Sequence, residues 1–396
     1  MRPFRFLATA DGYPRFAELT SLARKAEAVG CSTFVLPDHL IGQYAAIPLL
    51  AMVAAATERL RVGTFVLNVG LRHPAVLAQD LATLDVLSGG RLEIGLGAGW
   101  NKPEHDAIGI PFEPTGVRIK RLTEAITILK GCFGEGPFSF SGEHYIITGH
   151  DGTPKPAQRP HPPIFLGGGG KRLLTLAARE AQIIGLAPRL VHGDPPRVDV
   201  RSLTAAATEE KIRWIREAAG DRFGELELNT YPTGEPTVIT SDPRAEARRR
   251  ADRIRAQTGV ELTVEEILDS PHVFIGSIKD LTRKFADLRE RFGISSFLID
   301  DLDALAPVVE ELAGQLAAER FAADGQRAPD IRGADAIVGH ESDQIRAVRS
   351  AKQSLLAARG QEPGCVHVLQ PEVHDVRLDP AEVAVNPGQL GQALGQ

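Results

Sequence analysis

Short apolar runs that alternate with amphipathic helical runs are the feature that most constrains the fold of this chain. Eight runs have the length and the β-branched or aromatic content of buried strands, and each precedes a segment with helical spacing. These runs cover residues 5–10, 32–37, 62–67, 91–97, 162–167, 181–186, 225–230 and 294–299. A closed parallel barrel is favoured, because an open doubly wound sheet would have about two fewer strands. The sequence therefore predicts an α/β fold of the (β/α)8 TIM-barrel type.

Two insertions interrupt the alternation of strands and helices, one after the fourth predicted strand and one after the seventh. Residues 132–162 contain a pattern that predicts a β-hairpin turning at Ser141-Gly142, and residues 231–272 are polar with one charged helix. We expect both insertions at the carboxyl ends of the barrel strands, where ligands bind in this fold. Within the second insertion, Arg248-Arg249-Arg250 is expected to form a solvated helix face.

The barrel pattern ends near residue 320. Residues 1–320 are expected to form the barrel, whereas residues 321–396 are rich in Ala, Gln, Arg and Gly and lack its periodicity. We expect this C-terminal extension to be partly disordered, with one helix over residues 342–358 and one strand over residues 366–373.

Composition and charge exclude several classes of partner. A net charge of −6 gives no reason to expect nucleic acid or an anionic membrane as a partner. No apolar run approaches the roughly 20 residues of a membrane span, and a strand begins without a preceding signal peptide, so a soluble, cytoplasmic protein is expected. The cysteines at positions 31, 132 and 365 are too widely spaced for a metal-ligand motif, and no metal site is expected.

The segment Arg61–Asn101 predicts a strand, a loop, a helix and a second strand that is rich in glycine. Its glycines would leave room for a flat ligand to approach the backbone, and two neighbouring strand ends would form the floor of a binding site. The GLGAG run at 95–99 differs from a dinucleotide-binding fingerprint, because residues 100–103 intervene before any helix.

A second glycine-rich run, GGGGKR at 167–172, follows a predicted strand and opens a helix. Backbone N–H groups at a helix N-terminus, together with Lys171 and Arg172, favour an anion site. The run lacks the glycine spacing and the Ser or Thr of a Walker motif. A plain strand-to-helix turn is the alternative, but one glycine would suffice for that.

Several polar residues near predicted strand ends could take part in proton transfer. His39 follows the second strand, and Glu104 and His105 lie on the predicted loop after Trp100. A purely structural role is the alternative for His39. No Ser/His/Asp nucleophile motif is present, so we expect a bound cofactor to supply the reactivity.

Taken together, these motifs resemble the bacterial-luciferase-like superfamily, in particular its branch of coenzyme F420-dependent oxidoreductases. The resemblance covers about residues 3–318 and rests on the order and spacing of five pieces. They are VLPDH at 35–39, GTFVLN at 63–68, residues 72–101 from RHPAV to GAGWN, QRPHPPIFLGGGG at 158–170, and SPHVFIG at 270–276.

The resemblance implies a flavin or deazaflavin at the carboxyl ends of the strands. It also implies a non-prolyl cis peptide at Phe65-Val66, backing the central ring. The implied ring-binding residues are His39, Phe65, Val66, Asn68, Ala98, Gly99 and Trp100. Residues implied for the tail phosphate are Gly168, Gly169, Gly170 and Lys171. Candidate catalytic residues are His39, Trp100 and Glu104.

The function that follows as a hypothesis is hydride transfer between C5 of coenzyme F420 and a small organic substrate, with His39 as the proton donor. One alternative is an FMN-dependent monooxygenase that uses oxygen, and another is a non-catalytic cofactor-binding barrel. The family's sugar-phosphate dehydrogenase has a catalytic glutamate where this chain has Trp100, which favours an apolar or aromatic substrate instead. Many proteins of this family are dimers, so a homodimer is a further expectation.

Overall fold

The computed structural model describes residues 2–10, 12–191 and 197–324, with side chains as far as residue 313. The helix and strand expected at 342–358 and 366–373 lie outside the described residues, as does nearly all of the predicted extension 321–396. Within the described part of the chain, no helix is long and apolar enough to cross a membrane.

Eight parallel strands close into a barrel, as the alternating pattern predicts. They are β1 (Arg5–Thr9), β2 (Thr33–Leu36), β3 (Arg61–Thr64), β4 (Leu92–Gly97), β5 (Ile164–Gly168), β6 (Ile183–Leu186), β7 (Glu227–Thr230) and β8 (Ile294–Leu298). Each strand pairs with the next, and β8 pairs with β1 through Arg5 opposite Ser296. After a two-residue interruption β3 resumes as Leu67–Asn68, which also pairs with β4. The (β/α)8 prediction is therefore confirmed.

Eight major helices surround the barrel in the described part of the chain. They are α1 (Phe16–Val29), α2 (Ala46–Ala56), α3 (Pro74–Leu87), α4 (Thr115–Phe133), α5 (Lys171–Glu180), α6 (Ala205–Ala219), α7 (Ile278–Phe292) and α8 (Leu302–Asp324). Shorter helices are inserted at Lys102–Ala107, after β4, and at Val264–Asp269, after β7, where Pro243–Thr258 forms one further helix.

Local sequence signals explain where several of these helices begin and end. Helix α7 starts at a capping box in which Ser277 and Asp280 satisfy each other's backbone N–H groups. The same helix ends at Gly293, whose φ of 70° is in the left-handed region that glycine adopts without strain. Helix α3 has Pro74 at its first position, where a missing N–H costs nothing.

An ion cluster fills the amino end of the barrel. Arg5, at the start of β1, donates to Glu93 of β4 at 2.5 Å and to Glu227 of β7 at 3.0 Å. Both glutamates are buried, and their negative charges help to keep Arg5 protonated, so the pKa of Arg5 is raised despite its desolvation. With its amino end occupied by these side chains, the barrel has its carboxyl end left for a ligand.

The first insertion forms the predicted hairpin, but it enters the chain between α4 and β5, in a helix-to-strand loop, and its tip reaches back along α4 to bring the Tyr145 ring 5.6 Å from the His73 ring. Its strands, Phe138–Ser141 and Ile146–His150, turn where the Gly142 N–H donates to the Tyr145 carbonyl at 2.9 Å. The expectation of an insertion at the carboxyl end of a strand is wrong, because the hairpin follows α4, which returns the chain to the amino ends. Gln158 accordingly bonds to Asp85 at 2.7 Å, beside the start of β4.

The second insertion follows β7 directly and lies at the carboxyl end, as expected. It has a small apolar core of its own. This satellite core comprises Ala247, Leu262, Ile267, Val273 and Ile275. The expectation of a solvated face is wrong for Arg250, which is buried and donates to Glu246 at 3.0 Å and to the Pro236 carbonyl at 2.7 Å. Arg248 and Arg249 are exposed, as that expectation requires.

Candidate active site

The interruption of β3 is a cis peptide bond between Phe65 and Val66, at the position the family resemblance predicts. Glycines on β4 make room for it. A Cβ at Gly95 would overlap the Thr64 carbonyl, and a Cβ at Gly97 would lie 2.6 Å from the Val66 side chain. The expectation that these glycines leave room for a flat ligand is wrong, since protein atoms of the neighbouring strand occupy that space.

Aromatic side chains gather around Phe65. Its ring lies 4.9 Å from the ring of Phe165, on β5, and 5.5 Å from the ring of Tyr231, which follows β7. Burial raises the pKa of the Tyr231 hydroxyl to about 12, so it stays protonated at neutral pH. Sequence reasoning missed Tyr231 because a single tyrosine after a strand carries no motif.

The three predicted catalytic residues lie together at the carboxyl ends of β2 and β4. Nδ1 of His39 is 2.9 Å from Oε1 of Glu104, whose carboxylate is buried. Because a carboxylate can only accept, the Nδ1–H donates and Nε2 is the nitrogen left for other chemistry. The Trp100 ring lies edge-on to the imidazole at 5.6 Å and is 49% exposed. Glu104 sits on the helix Lys102–Ala107 and not on a loop, which corrects the expectation.

The predicted ring-binding residue Asn68 is held by contacts on three sides. Its backbone N–H donates to Asp38 at 3.0 Å, its Nδ2 donates to Nε2 of His105 at 2.9 Å, and its Oδ1 accepts from the Gly70 N–H at 2.9 Å. Gly99, with a φ of 76°, packs against this amide so closely that a Cβ would lie 2.7 Å from it. The amide of Asn68 therefore has one fixed orientation.

Two arginines that sequence reasoning missed hold the loops of this site. Arg72 donates to both oxygens of the buried Asp38 carboxylate, at 2.6 and 2.8 Å. Arg118, on α4, donates to the carbonyls of Ala98 and Gly99, and its guanidinium stacks 4.2 Å from the centre of the Phe112 ring. Burial lowers the pKa of Arg118 from its ordinary value. Arg72 begins one of the matched sequence pieces and Arg118 lies in none of them, and only the contacts reveal what either residue does.

The glycine-rich run joins β5 to α5 as predicted. A Cβ at Gly169 would overlap the backbone of Pro188, so this glycine is required for packing, whereas a Cβ at Gly168 would displace the side chain of Leu173. Gly170, the residue that precedes α5, has open space where its Cβ would be. No side chain caps this helix, and its first turn has no acidic residue.

These features leave the first N–H groups of α5 available to an anion. Lys171 is exposed, with its ammonium 5.9 Å from the centre of the Trp214 ring. Because β4 pairs with β5, Ala98 and Gly168 follow one another around the same end of the barrel. The described residues include no cluster of His, Cys, Asp or Glu that could hold a metal ion.

Comparison with known proteins gives two kinds of relative. Over 171 residues the chain is 35% identical to an FMNH2-dependent dimethylsulfone monooxygenase from Pseudomonas putida, covering 43% of this chain and 47% of that protein. Over 182 residues it is 35% identical to an F420-dependent glucose-6-phosphate dehydrogenase from Kineococcus radiotolerans, covering 42% and 53%. The chain thus spans about half the length of each of these two relatives.

The fold is also that of known structures. The coenzyme F420-dependent tetrahydromethanopterin reductase of Methanopyrus kandleri superposes with a TM-score of 0.63 at 19% identity, covering 81% of this chain and all of that one (100%). The sequence model that describes luciferase-like monooxygenases matches residues 2–291. The chain therefore belongs to the luciferase-like monooxygenase family.

Proposed function

We propose that this protein is an F420-dependent oxidoreductase that transfers a hydride between the deazaflavin and a small organic substrate. The observation that carries the proposal is the pair formed by His39 and the buried carboxylate of Glu104. Hydride transfer to a carbon–heteroatom double bond needs a proton at the heteroatom. With its Nδ1–H held by a carboxylate, the imidazole can take up a second proton at Nε2 and, as the imidazolium, deliver that proton to the heteroatom.

The residues present fit such a cofactor. The uncapped N-terminus of α5, with open space at Gly170 and cations at Lys171 and Arg172, suits a tail phosphate. Phe65, Val66 and Gly99 would border the ring, and Asn68 offers it a fixed amide. When bound, the deazaflavin would supply the hydride from its C5.

The chain's own side chains would then perform three tasks. His39 holds or releases a proton at Nε2, Glu104 fixes its orientation, and Trp100 presents a half-exposed apolar wall to the substrate. Glu104 lies four residues after Trp100, so a carboxylate is available even though position 100 is not glutamate. Trp100 therefore does not by itself exclude a sugar-phosphate substrate.

A second candidate function is an FMN-dependent monooxygenase. The similarity to the dimethylsulfone monooxygenase, as strong as that to the F420-dependent dehydrogenase, favours it. Both cofactors have an anionic tail that suits the N-terminus of α5. Activation of oxygen by a flavin does not by itself require an acid at the substrate, and the His39–Glu104 pair therefore supports the deazaflavin.

Fluorescence titration of the purified protein with F420 and, separately, with FMN tests the proposal. We expect F420 to bind with micromolar or better affinity and FMN to bind far more weakly. Tight FMN binding without a response to F420 would overturn the proposal in favour of the second candidate.

A further inference from the structure

A cavity of about 580 Å³ lies at the carboxyl end of the barrel, outside the predicted cofactor-binding residues. One wall is the segment that precedes α6, and the other is the insertion after β7. Ser270 joins the two walls, because its hydroxyl donates to the Leu203 carbonyl at 2.6 Å. A cavity of this volume is of the size that holds small organic ligands.

Aliphatic side chains from both walls line this cavity. They are Val198, Val200 and Leu203 on the first wall, and Ile254, Leu262 and Val273 on the second. Leu262 and Val273 belong to the satellite core of the insertion. In contrast, Val198, Val200 and Ile254 are only partly buried. Burying their remaining apolar surface under a ligand would favour binding.

The charged groups of the second wall already have partners. Glu235 lies 3.4 Å from Arg253 and also pairs with Arg249, while Arg250 bonds to Glu246 at 3.0 Å. A charged ligand would lose its hydration on entering the cavity. No unpaired charge in this wall would offset that cost. A neutral ligand would leave these ion pairs intact. Arg197 of the first wall also lines the cavity, but it is exposed, so its charge stays hydrated.

The cavity is close to the proposed reaction site. The ring of Tyr231 contacts that of Phe65, and Thr233, two residues further along the chain, lines the cavity. Two residues of extended chain span at most about 7 Å. Thr233 is tied down there, since its N–H donates to the His272 carbonyl at 3.0 Å.

We propose that this cavity binds the apolar body of a neutral substrate whose reacting end reaches past Tyr231 to the cofactor. Its role as a substrate site rests on the proposed function, but binding of an apolar molecule there does not. The cavity thus assigns the substrate class as neutral, predominantly apolar molecules with an alkyl chain or ring system.

Binding of the neutral fluorescent probe N-phenyl-1-naphthylamine to the purified protein tests the proposal. We expect saturable binding, weakened about tenfold or more by Val200→Asp and by Ile254→Asp, since each adds a charge to an apolar wall. Ile239→Asp is the matched control, because Ile239 is an exposed residue of the same insertion that does not line the cavity. It should leave the affinity unchanged.

The double variant Val200→Trp/Ile254→Trp guards against loss of folding, because it narrows the cavity with apolar side chains. It too should weaken probe binding. Among ligands of one chain length, 1-decanol should displace the probe at lower concentration than decanoate or decyltrimethylammonium. Absence of saturable binding, equal affinity in all variants, or stronger displacement by either ion would overturn the proposal.

Cofactor titration of the same variants separates the two proposals. If a cofactor binds while the cavity variants retain the probe, the cavity proposal alone is overturned. If the variants lose the probe while the wild-type protein binds neither F420 nor FMN, the cavity proposal stands and the proposed function fails.

Discussion

Nδ1 of His39 lies 2.9 Å from a carboxylate oxygen of Glu104, although the two residues follow different strands. His39 follows β2, whereas Glu104 belongs to a short helix after β4. The contact leaves the imidazole Nε2 available at the carboxyl end of the barrel, beside Trp100. The acid–base chemistry of the proposed reaction depends on this one contact.

Replacing Glu104 by glutamine should lower kcat about 100-fold or more, because the amide retains the shape of the carboxylate but not its charge. The affinity for the cofactor should change less than about threefold, since Glu104 holds His39 and not the cofactor. Steady-state kinetics with any substrate that the wild-type protein converts, together with cofactor titration, measures both quantities.

Asp106→Asn is the matched control for Glu104→Gln. Asp106 lies on the same short helix but is exposed. The control should leave kcat unchanged. An equal loss of kcat in both variants would show that any change of charge on this helix lowers kcat. That result would contradict a specific role for Glu104.

Replacing Gly170 by aspartate should weaken cofactor binding about tenfold or more, because it places a negative charge at the N-terminus of α5. Gly170→Asn has nearly the same shape without the charge, and it should weaken binding less than about threefold. Both side chains can cap the helix, so the free energy of unfolding should not fall in either variant. Equal affinities of the two variants would argue against an anion site there.

His105 should matter through Asn68. His105→Phe leaves the buried Asn68 amide without its acceptor, which should lower the free energy of unfolding by about 1–3 kcal/mol and weaken cofactor binding. His105→Gln offers an amide oxygen in place of Nε2, and it should restore part of the stability and part of the cofactor affinity. Chemical denaturation and cofactor titration measure the two effects. If the glutamine variant lost as much as the phenylalanine variant, the hydrogen bond to Asn68 would not be the cause.

The stability of the protein should depend on the protonation of His272. Burial, with a smaller contribution from the charge of Lys211, lowers the pKa of His272 from 6.5 to about 3. The unfolded chain takes up this proton near pH 6.5, so the stability contributed by neutral His272 is complete above that pH and is lost progressively as the pH falls towards 3. Between about pH 7 and pH 5 the loss amounts to about 2 kcal/mol.

Denaturation curves of His272→Asn at these two pH values test this dependence. Asparagine can replace Nδ1–H as the donor to the Thr230 hydroxyl, 3.2 Å away, but it does not titrate. The loss of stability on acidification should therefore be about 2 kcal/mol smaller in the variant. His73→Asn, at an exposed histidine, should behave like the wild-type protein, and an unchanged pH dependence in His272→Asn would contradict the assignment.

Much of the barrel could be predicted from residue patterns, because its helices and strands carry local signals. An amphipathic stripe that ends at Gly30 predicts a helix over Phe16–Val29, and α1 has these bounds. The same reasoning predicted β3 as one continuous strand over 62–67. Its interruption at Phe65-Val66 depends on glycines of β4 some thirty residues away, and only the family resemblance predicted it.

The candidate site was predictable where residues follow strands directly. His39, Asn68 and Gly99 lie near strand ends, and topology brings strand ends together. The predicted location of the hairpin was wrong, because the insertion follows helix α4 and does not directly follow strand β4. Arg72 and Arg118 support the site through contacts with residues 34 and about 20 positions away, and such contacts leave no periodic signal.

A structure of the protein in complex with F420 tests the central claim most directly. We expect the tail phosphate at the N-terminus of α5, within hydrogen-bonding distance of the backbone N–H groups after Gly170, and the deazaflavin ring against Phe65-Val66 on the side of His39. A cofactor bound away from both elements, or a ring that cannot be reached from His39, would contradict the account.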